Sequence, residues 1–94
     1  KNVRLQNDYG LALLERGTAN GSTEDLRRAR AVVEAALVVD TTSLDALFNR
    51  ALILDALNDR SSVAAWEAYL AADSSSPWSA EGRERLGQAQ GRQP

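Results

Sequence analysis

Apolar residues recur along this chain at the three- and four-residue spacing of amphipathic helices, and polar clusters break the pattern four times. The first stripe, Leu5, Tyr9, Ala12 and Leu13 with Leu11 and Leu14 beside it, predicts a helix from about Asn2 to Arg16. Leu26, Ala29, Val33, Ala36 and Leu37 predict a second, ending near Val39. Leu44, Leu47, Ala51, Leu54 and Leu57 then mark a third, and Val63, Trp66, Tyr69 and Leu70 a fourth. Only Asn58-Asp59-Arg60-Ser61 separates these two, so they should lie antiparallel as a helical hairpin. Trp78, Gly82, Leu86 and Ala89 carry the fifth stripe.

The breaks hold start and stop signals. Gly17 follows Glu15-Arg16 and suits a helix C-cap, leaving Thr18 to Thr23 as a polar loop. Ser22 or Thr23 opens the second helix, with Ser22 and Asp25 at capping-box spacing and Glu24 and Asp25 at the positive helix end. Thr42 and Asp45 repeat that spacing before the third helix. Ser76 as N-cap with Pro77 at the first helical position opens the fifth. Gly10 lies inside the first helix at a cost of roughly 1 kcal/mol, which calls for close approach by a neighbouring helix. Gln88 to Pro94 is polar and should fray.

The two halves of the chain resemble each other. Tyr9-Gly10 and Leu13 align with Arg50-Ala51 and Leu54, and Ala29, Val33, Ala36, Leu37 and Asp40 align with Ser62, Trp66, Tyr69, Leu70 and Asp73. The offset is 41 residues in the first set and 33 in the second, a difference assigned to a longer loop at Thr18 to Asp25. Two-helix units repeating near this length are the mark of a helical solenoid.

In these residues the chain resembles the tetratricopeptide repeat family, over about Leu5 to Leu86. Leu47, Ala51 and Leu54 match its first helix, and Ala65-Trp66-Glu67-Ala68-Tyr69-Leu70-Ala71-Ala72-Asp73 its second. Departures are Arg50 beside the small residue, Ser62 in place of alanine, and Thr41 and Ser74 in place of proline. Tyr69 to Leu86 also looks like arrays of large multidomain bacterial proteins. The resemblance implies an all-α, right-handed α-α superhelix of two hairpins and a C-terminal capping helix. As a single domain over 1–90, it places repeat one at about 2–40, repeat two at about 42–73, a terminal helix at about 77–90 and a frayed tail at 91–94. Small Gly10, Ala51 and Gly82 would let backbones approach, while Tyr9, Leu13, Leu47, Leu54 and Trp66 fill the space between.

The family fold further implies that first helices line a concave, partner-binding face. That face would carry Asn7, Leu11 and Leu14 from repeat one and Asp45, Phe48, Leu52 and Asp55 from repeat two, with Asn49 at its edge. Glu81 and Arg85 are candidates from the terminal helix, and Trp78 fits either of two registers. Leu11, Phe48 and Leu52 are the informative members, because other residues already fill the core-facing stripes of their helices. Either a peptide lies in a groove there, or a neighbouring repeat or a second copy covers it. Some members grip a peptide carboxylate with Lys, Asn and Arg. Only Asn49 matches that set, since Asn7 stands where lysine is expected and Leu11 where asparagine is.

Composition narrows the function classes. With 94 residues, 44% apolar and 26% charged, the chain is one small helix-rich domain. A net charge of −2 gives no field for nucleic acid or an anionic membrane, and no apolar run is long enough to span a bilayer. Arg27-Arg28-Ala29-Arg30 reads as a solvated face, with Glu24 and Glu34 placed to pair with Arg28 and Arg30. Trp66 reads as core, and Asp40 and Asp73 as equivalent helix-end residues. Histidine and cysteine are both absent, which removes Ser-His and Cys-His nucleophiles and ordinary zinc sites. Asn20-Gly21-Ser22 is no phosphate loop. The expectation is therefore a module without cofactor, metal or catalysis that binds a protein or peptide. The alternatives are a spacer or self-association segment, joining copies through exposed repeat ends, and a regulatory arm of an enzyme. The chain starts at Lys1 without any methionine and is expected to be a piece of a longer protein, its compartment left open.

Overall fold

The computed structural model describes residues 2–92 and contains, among them, five α-helices and no strand. They are α1 Val3–Asn20, α2 Thr23–Val39, α3 Leu44–Ala56, α4 Ser62–Ala72 and α5 Pro77–Arg92. Each helix packs chiefly on the next, and α1 also reaches α3. Short connections make neighbours antiparallel, so α1, α3 and α5 run the same way on one side. The radius of gyration is 12.5 Å, ordinary for a compact chain of this length. One cluster forms the core: Leu13, Leu26, Val33, Leu47, Ile53, Leu54, Trp66 and Tyr69 are buried at its centre.

The first hairpin departs from expectation. Its helix runs past Gly17 to Asn20, and Gly21 is the residue that stops it, at φ 64°. The Gly21 and Ser22 amides both donate to the Gly17 carbonyl, the latter at 2.8 Å, which is a Schellman closure. Gly17 is buried because Leu26 of α2 lies over it; a Cβ there would sit 2.9 Å from Leu26 Cδ2. The extra residues of the first hairpin are therefore helical. The connection between α1 and α2 is only Gly21-Ser22, whereas residues 57–61 join α3 to α4.

The phase of α1 also differs. Its buried positions are Asn7, Gly10, Leu13, Leu14 and Gly17, while Leu5 is 64% exposed and Tyr9, expected to fill the helix interface, 52% exposed. Gly10 explains this: a Cβ built on it would fall 2.4 Å from Val33 Cγ2, so α2 lies directly on the backbone of α1. A face that packs through glycine carries no hydrophobic signal, and the sequence stripe points one residue to the side.

The corners after α2 and α4 match closely. Asp40 has φ −139° and ψ 97° and Asp73 has φ −139° and ψ 101°, and their amides donate to Ala36 and Tyr69 carbonyls. Three residues after each aspartate a serine starts the next helix. Ser43 Oγ accepts from the Ala46 amide and Ser76 Oγ from that of Trp78. Ser43, not Thr42, is thus the cap of α3; Thr42 instead donates its amide and hydroxyl to Asp40. Ser22 caps α2 through the Asp25 amide, as the sequence predicts. Of the tail expected to fray, Gly91 and Arg92 form the last turn of α5, and residues 93–94 lie outside the described residues.

Ion pairs tie the helices at their ends. Arg16 holds Asp25 through two contacts, Nε at 2.9 Å and Nη2 at 3.0 Å, and keeps that carboxyl below its ordinary range. Arg28 pairs with Glu24, and Arg30 with both Glu34 and Asp59, so most of the basic cluster is engaged at the surface.

Overpacking a core contact costs about 1–3 kcal/mol, which exceeds the roughly 1 kcal/mol that alanine gains over glycine in a helix. Gly10→Ala should therefore lower the unfolding free energy in urea by about 1 kcal/mol. Adding Val33→Ala should cost less than the sum of the two single changes. A Gly10→Ala chain as stable as the parent would show that the contact with Val33 does not set the helix spacing.

Candidate functional site

A groove of about 440 Å³ runs between α1 and α3 and is closed at one end by the turn from α4 into α5. Asn7, Asp8 and Leu11 form one wall, and Leu44, Asp45, Phe48, Asn49 and Leu52 the other. Tyr69, Asp73, Ser76 and Trp78 form the closed end. Six of the eight residues expected on a concave face thus share it: Asn7, Leu11, Asp45, Phe48, Asn49 and Leu52. Leu14 and Asp55 lie further along the same side, on a shallower depression with Leu52, Glu15 and Arg85.

Spacing puts the six together. Asp45, Phe48, Asn49 and Leu52 stand at i, i+3, i+4 and i+7 of α3, and Asn7 and Leu11 at i and i+4 of α1, so each set shares a face. The two helices are locked in register across the groove by Asn49 Nδ2, which donates to Asn7 Oδ1 at 3.1 Å. Both amides are more than nine-tenths buried. Each keeps further hydrogen-bonding capacity, the NH2 of Asn7 and the carbonyl of Asn49.

Phe48 is half-buried and stands at the middle of an aromatic group. Its ring lies 5.0 Å from Trp66, 5.1 Å from Tyr69 and 5.6 Å from Trp78, edge to face in each case. Such pairs add about 0.5–1.5 kcal/mol each beyond their buried area. Part of the face that the sequence left without a partner is therefore covered by the start of α5. Trp78, 65% exposed, shows its other side to solvent. Leu11 and Leu52 are likewise half-buried against the core.

Asp55 is engaged from within the fold. Its Oδ2 accepts the indole N–H of the fully buried Trp66 at 2.9 Å, and its Oδ1 meets Arg92 Nη2 at 2.7 Å. Of the two candidates on α5, Arg85 and Glu81 pair with each other at 2.7 Å.

Sequence reasoning placed Asp73 at a helix end but missed its part in the groove. Its carboxylate accepts from the Tyr69 hydroxyl at 2.5 Å, from the Ser76 hydroxyl and from the amides of Ser75 and Ser76. The Ser76 hydroxyl first, then that of Tyr69, hold its pKa down at about 2. Tyr69 is pushed the other way, by burial and then by the bond to Asp73. The signal was available in the Tyr-x-x-x-Asp-x-x-Ser spacing, which puts both hydroxyls within reach of one carboxylate.

Among the described residues no cluster of His, Cys, Asp and Glu could hold a metal ion, and no helix is long and apolar enough to cross a membrane. No family model, curated protein or solved structure matches the chain.

A carboxyl depressed from 3.8 to about 2 in the fold contributes stability that is complete above its ordinary value and is lost as pH falls through the folded one. Stability should therefore drop between about pH 4 and pH 2. Asp73→Asn should start less stable and show a shallower drop over that window, measured by denaturant unfolding at each pH. An acid limb identical in the variant would assign it to the other depressed carboxyls, those of Asp25, Asp40 and Asp59.

Proposed function

We propose that this chain is a tetratricopeptide-type interaction module that binds a peptide segment of another protein in the groove between α1 and α3. The observation that carries the reading is the groove itself: a floor of Leu11, Phe48 and Leu52 beside an asparagine pair with amide groups to spare. An apolar floor with a few fixed polar groups suits a peptide, whose side chains fill the floor and whose backbone meets the amides. The repeat reading is supported by the matched corners at Asp40 and Asp73, which lie 33 residues apart. It is supported too by the bulk-free positions Gly10, Ala51 and Gly82, each buried in an odd-numbered helix. A right-handed superhelical stack would follow from continuing these units.

The role is binding without catalysis, as a scaffold part of a larger protein. Peptides selected on this chain from a random display library should lose binding to Leu11→Glu by about tenfold or more, since a carboxylate would be desolvated in an apolar contact. The helical circular dichroism of the variant should match the parent. Undiminished binding to Leu11→Glu would remove the groove as the site.

A second reading, self-association through the outer side of α1, is favoured by exposed Leu5 and Tyr9. Sedimentation should then show dimers that increase with concentration and disappear in Leu5→Asp/Tyr9→Asp. A monomer throughout the concentration range would dismiss it.

A further inference from the structure

The groove has a charge pattern that its apolar floor does not require. Three carboxylates line it, Asp8, Asp45 and Asp73, and no lysine or arginine does. Asp8 lies one turn before Leu11, and Asp45 one turn before Phe48. Each acid lies toward the N-terminal end of its own wall of the groove, Asp8 on α1 and Asp45 on α3, with Asp73 and Trp78 at the closed end. Among the described residues neither Asp8 nor Asp45 is in an ion pair, although most other carboxylates on cross-helix contacts are: Asp25, Asp55 and Asp59 each meet an arginine. Asp73 has four donors around it, but these stabilise its negative charge and do not cancel it.

Helix ends modify the field without reversing it. An N-terminus acts as about half a positive charge. Asp45, in the first turn of α3, outweighs it with a full negative one. Asp73 stands between the negative end of α4 and the positive start of α5, whose partial charges oppose each other, so its own charge is left. The exposed face of the Trp78 ring offers a surface that attracts cations.

We infer that the groove takes a peptide carrying a lysine or arginine next to an apolar residue, with the apolar side chain on Leu11 and Phe48 and the cation among the carboxylates of the walls, Asp8 and Asp45, beside Trp78. This rests on the groove being a peptide site and adds the chemistry of what it selects. A cation in the groove meets two carboxylates that are in no ion pair among the described residues, while an acidic peptide would face three negative charges along it. Asn7 and Asn49, which also line the groove, each keep hydrogen-bonding capacity that a peptide backbone can use.

The test uses three capped peptides, Ala-Leu-Lys-Leu-Lys-Leu-Ala and its counterparts with both lysines replaced by glutamine or by glutamate. Each is titrated into the isotope-labelled chain while the side-chain amide signals of Asn7 and Asn49 and the indole signal of Trp78 are followed. The lysine peptide should bind at least about tenfold more tightly than the glutamate peptide, and its affinity should fall as salt rises. Asp8→Asn/Asp45→Asn should weaken the lysine peptide about fivefold or more and the glutamine peptide by much less, and an equal loss for both would overturn the charge selection. Equal binding of lysine and glutamine peptides at these signals would overturn the charge selection and leave the groove as a peptide site. Movement of none of the signals with any peptide would overturn both. Shifts that follow protein concentration alone would make a second copy the occupant and overturn the peptide assignment.

Discussion

The spacing between helices is set where side chains are missing. Val33 lies on the backbone of α1 because position 10 has no Cβ, and Tyr69 and Leu70 approach Gly82 of α5 within 3.0–3.2 Å of where one would be. Ala51, fully buried, stands at the matching place in α3. Close approach at these points lets Leu13, Leu47, Leu54 and Trp66 interleave around them at the density a core needs. Everything on the other side of the odd-numbered helices depends on this: the floor of the groove is what remains of α1 and α3 after their small-residue sides have been drawn inward.

Those same positions explain what could and could not be read from the sequence. Five helices, their order, the hairpin at Leu44 to Asp73 and the burial of Trp66 followed from apolar periodicity, because large side chains carry it. Tyr9 belongs to the visible stripe and so points inward on sequence grounds, whereas the buried side of α1 is written in Asn7, Gly10 and Gly17. Gly17 looks like a stop for a similar reason. Glycine at a helix end and glycine under a neighbouring leucine look alike until the next helix is in place, and Gly21, with positive φ, was the true stop.

The residues that share the groove were legible in the sequence, and their contacts less so. Six of eight expected residues converge, since helical spacing and a parallel pair of helices are enough to collect them. The sequence could not show that Phe48 would meet three aromatic rings at once, because Trp78 reaches it from a helix thirty positions away in the chain. Nor could it show the asparagine pair, which joins residues 42 apart and depends on the relative height of α1 and α3. The turn from α4 to α5 has a double part here. Its aspartate organises the corner, and the helix it launches places Trp78 over the groove.

Asp55 gives the chain an unplanned instrument. One oxygen holds the indole of Trp66 at the centre of the core and the other holds Arg92 in the last turn of α5. The end of the terminal helix and the most buried chromophore are thus joined through a single carboxylate. Indole emission is sensitive to the charge and orientation of such a partner, so docking or release of that helix end should be visible as a change of colour and intensity from Trp66, without any label attached.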